Sequence, residues 1–542
     1  MPTWLTTWYE EIVSELVRQF RWSFLPPLMV YFAAGISGLT AIVGTFFVKE
    51  YLGLSAAYLA GLAFWAGLPW ALKMPLGHLV DVIWRWKAIL VYVGAGMIAA
   101  SLLIMYCLIE YRDQMAAIMP VASWYVISAI LAPAGYVVQD AVADAMSVEA
   151  VPRHNLDGSE IHEATSKALH TTMQTLGRIA LITGTVFVAL LNIVMFEGVE
   201  TLSTEAKANV YSTIYLTALF IPLVSVTGVI LAAILNMRRR RQLLSQGHDP
   251  ALVDEMLALD GEATTVNPWY FIGGAAFVAL SLAVGIGEVP FAQEIIFAGS
   301  MAIVITLMVQ LARELPPGKA YALFGTAIII FVFRAVPLPG PGATWFTIDE
   351  LGFDQQFLSI LSLIASLLTL AGMLALRPYM ARKSIVDIVI LLTIAAGILS
   401  LPNIGLYYGI QNITEPATGG IVDARFIAII DTAVESPLGQ IAMIPMLAWI
   451  AKNAPSHLKA TFFAVLASFT NLALSASSLL TRYLNEIFLV TREVKNRDTG
   501  VIEVPADYSM LGYLLITVAL VGVAAPLITI LIVQRTRLRT PD

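Results

Sequence analysis

The feature that most constrains this chain is its succession of long apolar stretches. A bilayer crossing takes roughly 20 mainly apolar residues, and fourteen windows meet that description. Six lie near 27–48, 57–80, 86–109, 121–146, 168–196 and 208–236. Two follow near 268–288 and 291–312, and six more near 320–346, 355–377, 385–408, 421–450, 459–486 and 508–534. Only 13% of the 542 residues are charged and 58% are hydrophobic, whereas a soluble domain carries about 25% charge. The chain is expected to be an all-α polytopic membrane protein with 14 transmembrane helices.

Loop charge gives an independent test of the count. With Met1 inside, 20 of the 31 Lys and Arg residues fall in cytoplasmic loops, including Arg85, Lys87, Arg238–Arg241 and Arg535. Six fall outside: Lys49, Arg112, Lys207, Arg492, Lys495 and Arg497. This follows the positive-inside rule and places both termini in the cytoplasm, in a bacterial inner membrane. The lone Cys107 excludes an internal disulfide, and the six histidines show no metal-ligand spacing. Neither a metal nor a cofactor is expected. Met1–Trp22 lacks the basic start and short apolar core of a cleavable signal, and residues 1–26 are expected to form an amphipathic lead-in with Trp4 and Trp8 at the interface.

The sequence also repeats itself. Asp140 and Asp144 stand four residues apart in SWYVISAILAPAGYVVQDAVADAMSVE, and Asp431 and Glu435 repeat that spacing 291 residues later. TFFVKEYLGLSAAYLAGL, from Thr45, resembles TWFTIDELGFDQQFLSIL, from Thr344. Both repeats align the first six spans with the last six, as in transporters built from parallel halves. The expected divisions are the lead-in 1–26, a six-helix half 27–236, a cytoplasmic linker 237–267, an inserted hairpin 268–318, a second half 319–534 and a tail 535–542. Within the linker, Ala251–Leu259 has helical character.

Carboxylates at i and i+4 share one helix face, and inside a membrane such groups point into a bundle or a water-filled path. Asp140, Asp144, Asp431 and Glu435 are therefore candidates for proton coupling; otherwise they cap neighbouring helices or pair with Arg178 and Arg425. Gly77, Asp81 and Arg85 sit in the turn after the second span. There a glycine permits close helix approach, and a carboxylate beside cations forms a relay that breaks when helices separate, which makes the trio gating candidates. Arg334 precedes Val336-Pro337-Leu338-Pro339-Gly340-Pro341-Gly342; such a broken helix is tolerated only toward protein or a cavity. Arg334 and Arg178, with Gln174 and Asn471, are the substrate-binding candidates. Glu288 and Glu294, flanking Pro290, are expected to be exposed at the tip of the hairpin. Trp345 is expected at the interface, where membrane tryptophans usually lie.

Four segments together resemble the major facilitator superfamily and, within it, the folate-biopterin transporter (BT1) group. KMPLGHLVDVIWRWK is similar to the superfamily's turn motif, retaining Gly77, Asp81 and Arg85, with Val82 where a basic residue usually follows the aspartate. VVQDAVADAMSVE resembles the group's helix-4 signature, and Pro337 through TWFTIDELGFDQQFLSIL its entry into the second half. HLKATFFAVLASFTNLALS is similar to its helix-11 pattern, with Phe463, Ala464, Ser468 and Asn471. The resemblance implies a major facilitator-like bundle of two six-helix halves plus an inserted hairpin. It also implies proton-coupled secondary transport, by alternating access, of a small organic solute such as the anionic folates or pterins.

The expected partners are this solute, protons and the lipid bilayer, with the protein a monomer. A channel needs a selectivity element repeated around an axis, and only a two-fold repeat is visible. No nucleotide loop, metal cluster or nucleophile arrangement marks an enzyme, and topology accounts for the basic loops without nucleic acid. A non-transporting assembly or pigment-delivery factor on the same fold, or a muropeptide or drug-type permease, is the alternative.

Overall fold

Proline and short polar caps set where the helices begin. The computed structural model describes residues 18–47, 56–152, 161–199, 202–250, 253–254, 257, 268–286, 289–313, 315–375, 383–436, 459–495 and 502–539. Pro26 and Pro27 open α1 (Leu25–Gly35), where a missing N–H costs nothing. The run continues through a 3-10 turn, Ile36–Thr40, into α2 (Ala41–Phe47). Next come α3 (Ala56–Gly67) and α4 (Lys73–Val82), joined by a 3-10 turn at Leu68–Leu72. They are followed by α5 (Ala88–Glu110), α6 (Arg112–Ile118), α7 (Val121–Glu149) and α8 (Glu163–Met195). Ser203 caps α9 (Thr204–Ala218) by accepting from the Ala206 amide at 3.3 Å, and α10 (Phe220–Ser245) follows at once.

The hairpin region supplies α11 (Pro268–Ile286) and α12 (Ala292–Ala312). Then come α13 (Pro317–Arg334), α14 (Pro341–Asp349), α15 (Gln355–Ala375), α16 (Ile385–Tyr407) and α17 (Gln411–Ala417). Asp423 caps α18 (Ala424–Glu435) by accepting from the Phe426 amide at 2.7 Å. The last helices are α19 (Lys459–Ile487) and α20 (Leu511–Gln534). Between these two, β1 (Val494–Lys495) and β2 (Ile502–Val504) pair antiparallel. Among the described residues, ten helical runs are long and apolar enough to cross a membrane. The protein is an all-α polytopic membrane protein. The lead-in at 1–17 and the second part of the 421–450 window, from 437 on, lie outside the described residues.

Two compact units are present. The first comprises Met1–Thr40, Pro75–Met195 and Ser203–Pro268. Its core joins Phe24 and Val30 of the first span to Val91 on α5, Val142 and Met146 on α7, Met173 on α8 and Val229 on α10. Within it, α5 and α7 run antiparallel and are tied along their length. Lys87 Nζ lies 2.8 Å from Glu149 Oε2, and Gln139 Nε2 donates to the Val91 carbonyl at 3.1 Å. Ser101 and Ser128 each donate to the other's carbonyl, at 2.8 and 3.0 Å. Between these ties the two backbones nearly touch: a Cβ added at Gly94 would sit 2.6 Å from the Gly135 carbonyl oxygen, and the reverse distance is the same.

The second unit comprises Ala41–Met74, Phe196–Leu202 and Trp269–Asp542. Its largest cluster gathers Met308 from α12, Leu323 and Ile330 from α13, Val389 from α16, Phe469 and Leu472 from α19, and Ile530 from α20. A smaller one sets Phe64 on α3 against Phe277, Ile296 and Leu479, so α11 and α12 belong to this packed core.

Two features of the sequence look different in the structure. The 208–236 window is two helices meeting at Leu219. Beyond Met237, where the linker was expected to begin, α10 continues through Arg238–Arg241 to Ser245. Arginine is a good helix former, and the extension has its own packing: Leu243 is buried with Val253 and Leu257. Arg240 pairs with Asp254 at 2.8 Å, and this hydrogen bond holds the Asp254 carboxyl below the usual aspartate range. Of the expected helix at 251–259, only residues 253, 254 and 257 are described.

The glycine contact leads to the first prediction. Gly135→Leu forces a side chain into the α5 backbone, and overpacking of this kind costs about 1–3 kcal/mol. The apparent Tm in detergent should fall clearly, whereas Gly96→Leu, at a glycine with open space around its Cβ, should leave it near wild type.

Candidate functional site

The first carboxylate pair lies on α7, in the first unit. Asp140 and Asp144 are both half-buried. The Tyr31 hydroxyl on α1 donates to Asp144 Oδ1 at 2.8 Å, and Ser147 donates to the Asp144 carbonyl at 2.7 Å. One turn away, Gln139 also donates to Ser225 Oγ on α10 at 3.0 Å. Asp144 is thus hydrogen-bonded to the first span, and Arg178 is exposed on α8. The side chains of Asp81 and Gln174 lie outside what the structure describes.

At the expected gating turn, Arg85 is exposed and near enough to Asp254 for its charge to act on that carboxyl, and a Cβ at Gly77 would meet nothing within 4 Å. The engaged cation is Lys87, whose ammonium lies 4.0 Å from the Trp84 ring centroid and binds Glu149, to which Asn236 also donates at 3.4 Å. The lysine and glutamate side chains are only 11% and 17% exposed, which makes this a desolvated pair. Lys87 is the N-cap residue of α5 and pairs with the last residue of α7, whereas Arg85 lies in the preceding 3-10 turn.

The second carboxylate pair lies on α18, in the second unit. Asp431 is only 8% exposed. Asn403 Nδ2 on α16 donates to its Oδ2 at 2.8 Å, and Oδ1 is buried with no hydrogen-bond partner among the described residues. Glu435, one turn on, is exposed. Arg425 does not serve either carboxylate. It donates to Asp354 Oδ2 and to the Gly352 carbonyl, each at 3.0 Å.

Arg334, half-buried, ends α13 immediately before the proline-rich break. The polar backbone of that break is met by one face of α19. Ser477 donates to the Val336 carbonyl at 2.6 Å, Thr481 Oγ1 accepts from the Leu338 amide at 2.9 Å, and Asn485 donates to the Pro339 carbonyl at 3.2 Å. The four-residue spacing of Ser477, Thr481 and Asn485 was the available signal for this face. Asn471 is also engaged with backbone, donating to the Trp70 carbonyl at 3.1 Å.

Three groups escaped the sequence reading. Arg482 on α19 pairs with Glu486 at 2.8 Å and reaches Gln293 at 3.1 Å. Glu294, expected at an exposed tip, accepts from the Tyr483 hydroxyl and keeps a buried Oε2. Arg492, assigned to an outer loop, is 3% exposed and stacks 5.3 Å from the Trp345 centroid, a ring that is itself 1% exposed instead of lying at the interface. Among the described residues, no group of three or more His, Cys, Asp or Glu side chains is arranged to hold a metal ion.

Solved structures of membrane transporters share the fold of this chain. A peptide transporter POT in complex with sulfate superposes with a TM-score of 0.56 at 14% identity, covering 96% of this chain and 95% of the other. The nucleoside transporter NupG does so with a TM-score of 0.51 at 13% identity, covering 95% and 100%. More narrowly, the BT1 family profile matches residues 34–540, and the chain belongs to that family. A folate-biopterin transporter of Synechocystis sp. (strain PCC 6803) is 25% identical over 471 residues, covering 85% of this chain and 75% of the relative.

The Lys87–Glu149 pair yields a second prediction. Removing one partner of a desolvated pair strands the other charge, at a cost of about 3–5 kcal/mol. Lys87→Met should lower the apparent Tm well below wild type, Lys87→Met with Glu149→Leu should recover much of the loss, and Arg85→Met should change little.

Proposed function

We propose that this protein is a proton-coupled secondary transporter that moves a small organic anion across the bacterial cytoplasmic membrane by alternating access. In this reading the chain forms two six-helix halves, 27–236 and 319–534, with an inserted hairpin at 268–318 making 14 spans, and both termini are cytoplasmic. The observation that carries it is Asp431: a buried carboxylate with one oxygen held by Asn403 and the other without a partner among the described residues. A carboxylate in that setting gains by taking up a proton when water leaves and by releasing it when water returns. Asp144, tethered to Tyr31 on the first span, is the hydrogen-bonded carboxylate of the first repeat, with Asp140 beside it, as Glu435 lies beside Asp431. Arg334 at the broken helix supplies positive charge for the solute, joined by Arg178, Gln174 and Asn471. Gly77, Asp81 and Arg85 gate the turn. The name of the Synechocystis relative makes folates and pterins the first solutes to test.

The test is pH-gradient-driven uptake by purified protein in proteoliposomes, using folates, pterins, amino acids and muropeptides. Saturable uptake of an anionic member is expected. Arg334→Ala should reduce it by about tenfold or more, the equivalent of one charge-assisted hydrogen bond. Asp431→Asn should abolish the response to the pH gradient while leaving exchange of solute across the membrane measurable, and Tyr31→Phe should weaken it. Gradient-driven uptake that survives neutralisation of all four carboxylates in a folded protein would remove the coupling assignment. No flux of any member, together with co-purified pigment or a stable protein partner, would favour an assembly role.

A further inference from the structure

The inserted hairpin carries polar groups where a merely space-filling pair of helices would be apolar. Gln293, in the first turn of α12, is 9% exposed. Its Nε2 donates to the Gly61 carbonyl on α3 at 3.1 Å, and its Oε1 accepts from Arg482 Nη1 on α19, also at 3.1 Å. One amide thereby joins three helices: residue 61 from the first set of six spans, 293 from the insert, and 482 from the last set. Gly61 is shaped for this contact, because a Cβ there would lie 3.1 Å from Gln293 Nε2 and 3.3 Å from Arg482 Cδ.

The two sides of the junction are unequal. Toward α19 the hairpin makes charge-assisted contacts. Arg482 reaches Gln293, the Tyr483 hydroxyl donates to Glu294, and Arg482 Nη1 lies 3.9 Å from the same glutamate. Toward α3 its described polar contact is the neutral hydrogen bond from Gln293 to the Gly61 carbonyl. Hydrogen bonds to charged groups are roughly twice as strong as neutral ones, so a separating force breaks the α3 side first. The remainder of the α3–α19 seam mixes apolar and small groups: Phe64 and Leu68 cluster with Leu479, a Cβ at Gly67 would lie 3.7 Å from Ser475 Oγ, and farther along Asn471 donates to the Trp70 carbonyl.

We propose that the inserted hairpin is a latch on this seam: it stays on α19 through Glu294, Tyr483 and Arg482, and Gln293 holds α3 closed until it releases the Gly61 carbonyl. Gln293 is then a positioning residue for transport, and the assignment rests on the alternating-access reading above.

The test uses full-length protein in proteoliposomes, in a Cys107→Ala background, with Ser475→Cys as a reporter inside the seam. The readout is its rate of labelling by a water-soluble maleimide. Gln293→Met keeps the length of the side chain and removes both hydrogen bonds. Labelling should accelerate by about threefold for each interhelical hydrogen bond lost, with the apparent Tm reporting that the protein stays folded. A short thiol-specific bridge between Gly61→Cys and Gln293→Cys should slow labelling below that of the unbridged protein. A bridge between Glu294→Cys and Tyr483→Cys should leave it unchanged. Unchanged labelling in folded Gln293→Met overturns the latch, as does a Glu294–Tyr483 bridge that slows labelling as much as the Gly61–Gln293 bridge. If Gln293→Met does not fold, the two bridges decide. Uptake by wild-type protein tests the transport reading separately: labelling that responds while no uptake occurs rejects transport and retains the latch.

Discussion

Inside a bilayer, a backbone amide or carbonyl that leaves the helical ladder must find a partner within the protein, because lipid offers none. The second unit depends on how α19 meets that demand. The chain between α13 and α14 cannot stay helical through Pro337, Pro339 and Pro341, and the carbonyls and amide it exposes are met by Ser477, Thr481 and Asn485. The face of α19 toward α3 meets the Trp70 carbonyl through Asn471 and, three turns on, reaches the hairpin through Arg482, with Tyr483 beside it. Each interhelical hydrogen bond in a membrane protein contributes only about 0.6 kcal/mol on average. Their weight lies in the cost of leaving the backbone groups unmet, which sets where the broken helix can sit.

Much of the fold was legible because hydrophobic thickness is a property of sequence alone. The windows at 86–109, 355–377 and 385–408 reappear as α5, α15 and α16 to within a few residues, and the proline run marked the break after Arg334. The partners were not legible. Arg425 looked like a counter-ion for Asp431, six residues on, yet it binds Asp354, 71 residues away. Arg482 hid in a helix otherwise taken as apolar, and Glu294 looked like a tip residue beside Pro290. In each case the missing quantity was which helix lies next to which, and the periodicity of one segment does not contain it.

The two carboxylate pairs share a spacing but differ in how they are held. On α7 the second member, Asp144, is bound by a phenol from the first span. On α18 the first member, Asp431, is bound by an amide from α16 and its neighbour Glu435 is exposed. A repeat in sequence has therefore been turned into two chemically distinct environments. A tyrosine hydroxyl offers Asp144 a single O–H, whereas the Asn403 amide sets a donor Nδ2 and an acceptor Oδ1 beside Asp431.

The closeness of α5 to α7 has a mechanical meaning. Two rods fastened at several points bend together, and the Lys87–Glu149 pair, the Gly94–Gly135 contact and the serine exchange fasten this pair from one end to the middle of α5. Asp140 and Asp144 therefore ride on a stiff beam. The helix that carries the phenol is held as closely on its other sides, since a Cβ at Gly35 would run into the Leu181 carbonyl oxygen and one at Gly228 would lie 2.9 Å from the Pro26 carbonyl oxygen, so Tyr31 and the acids it faces stand on one packed frame.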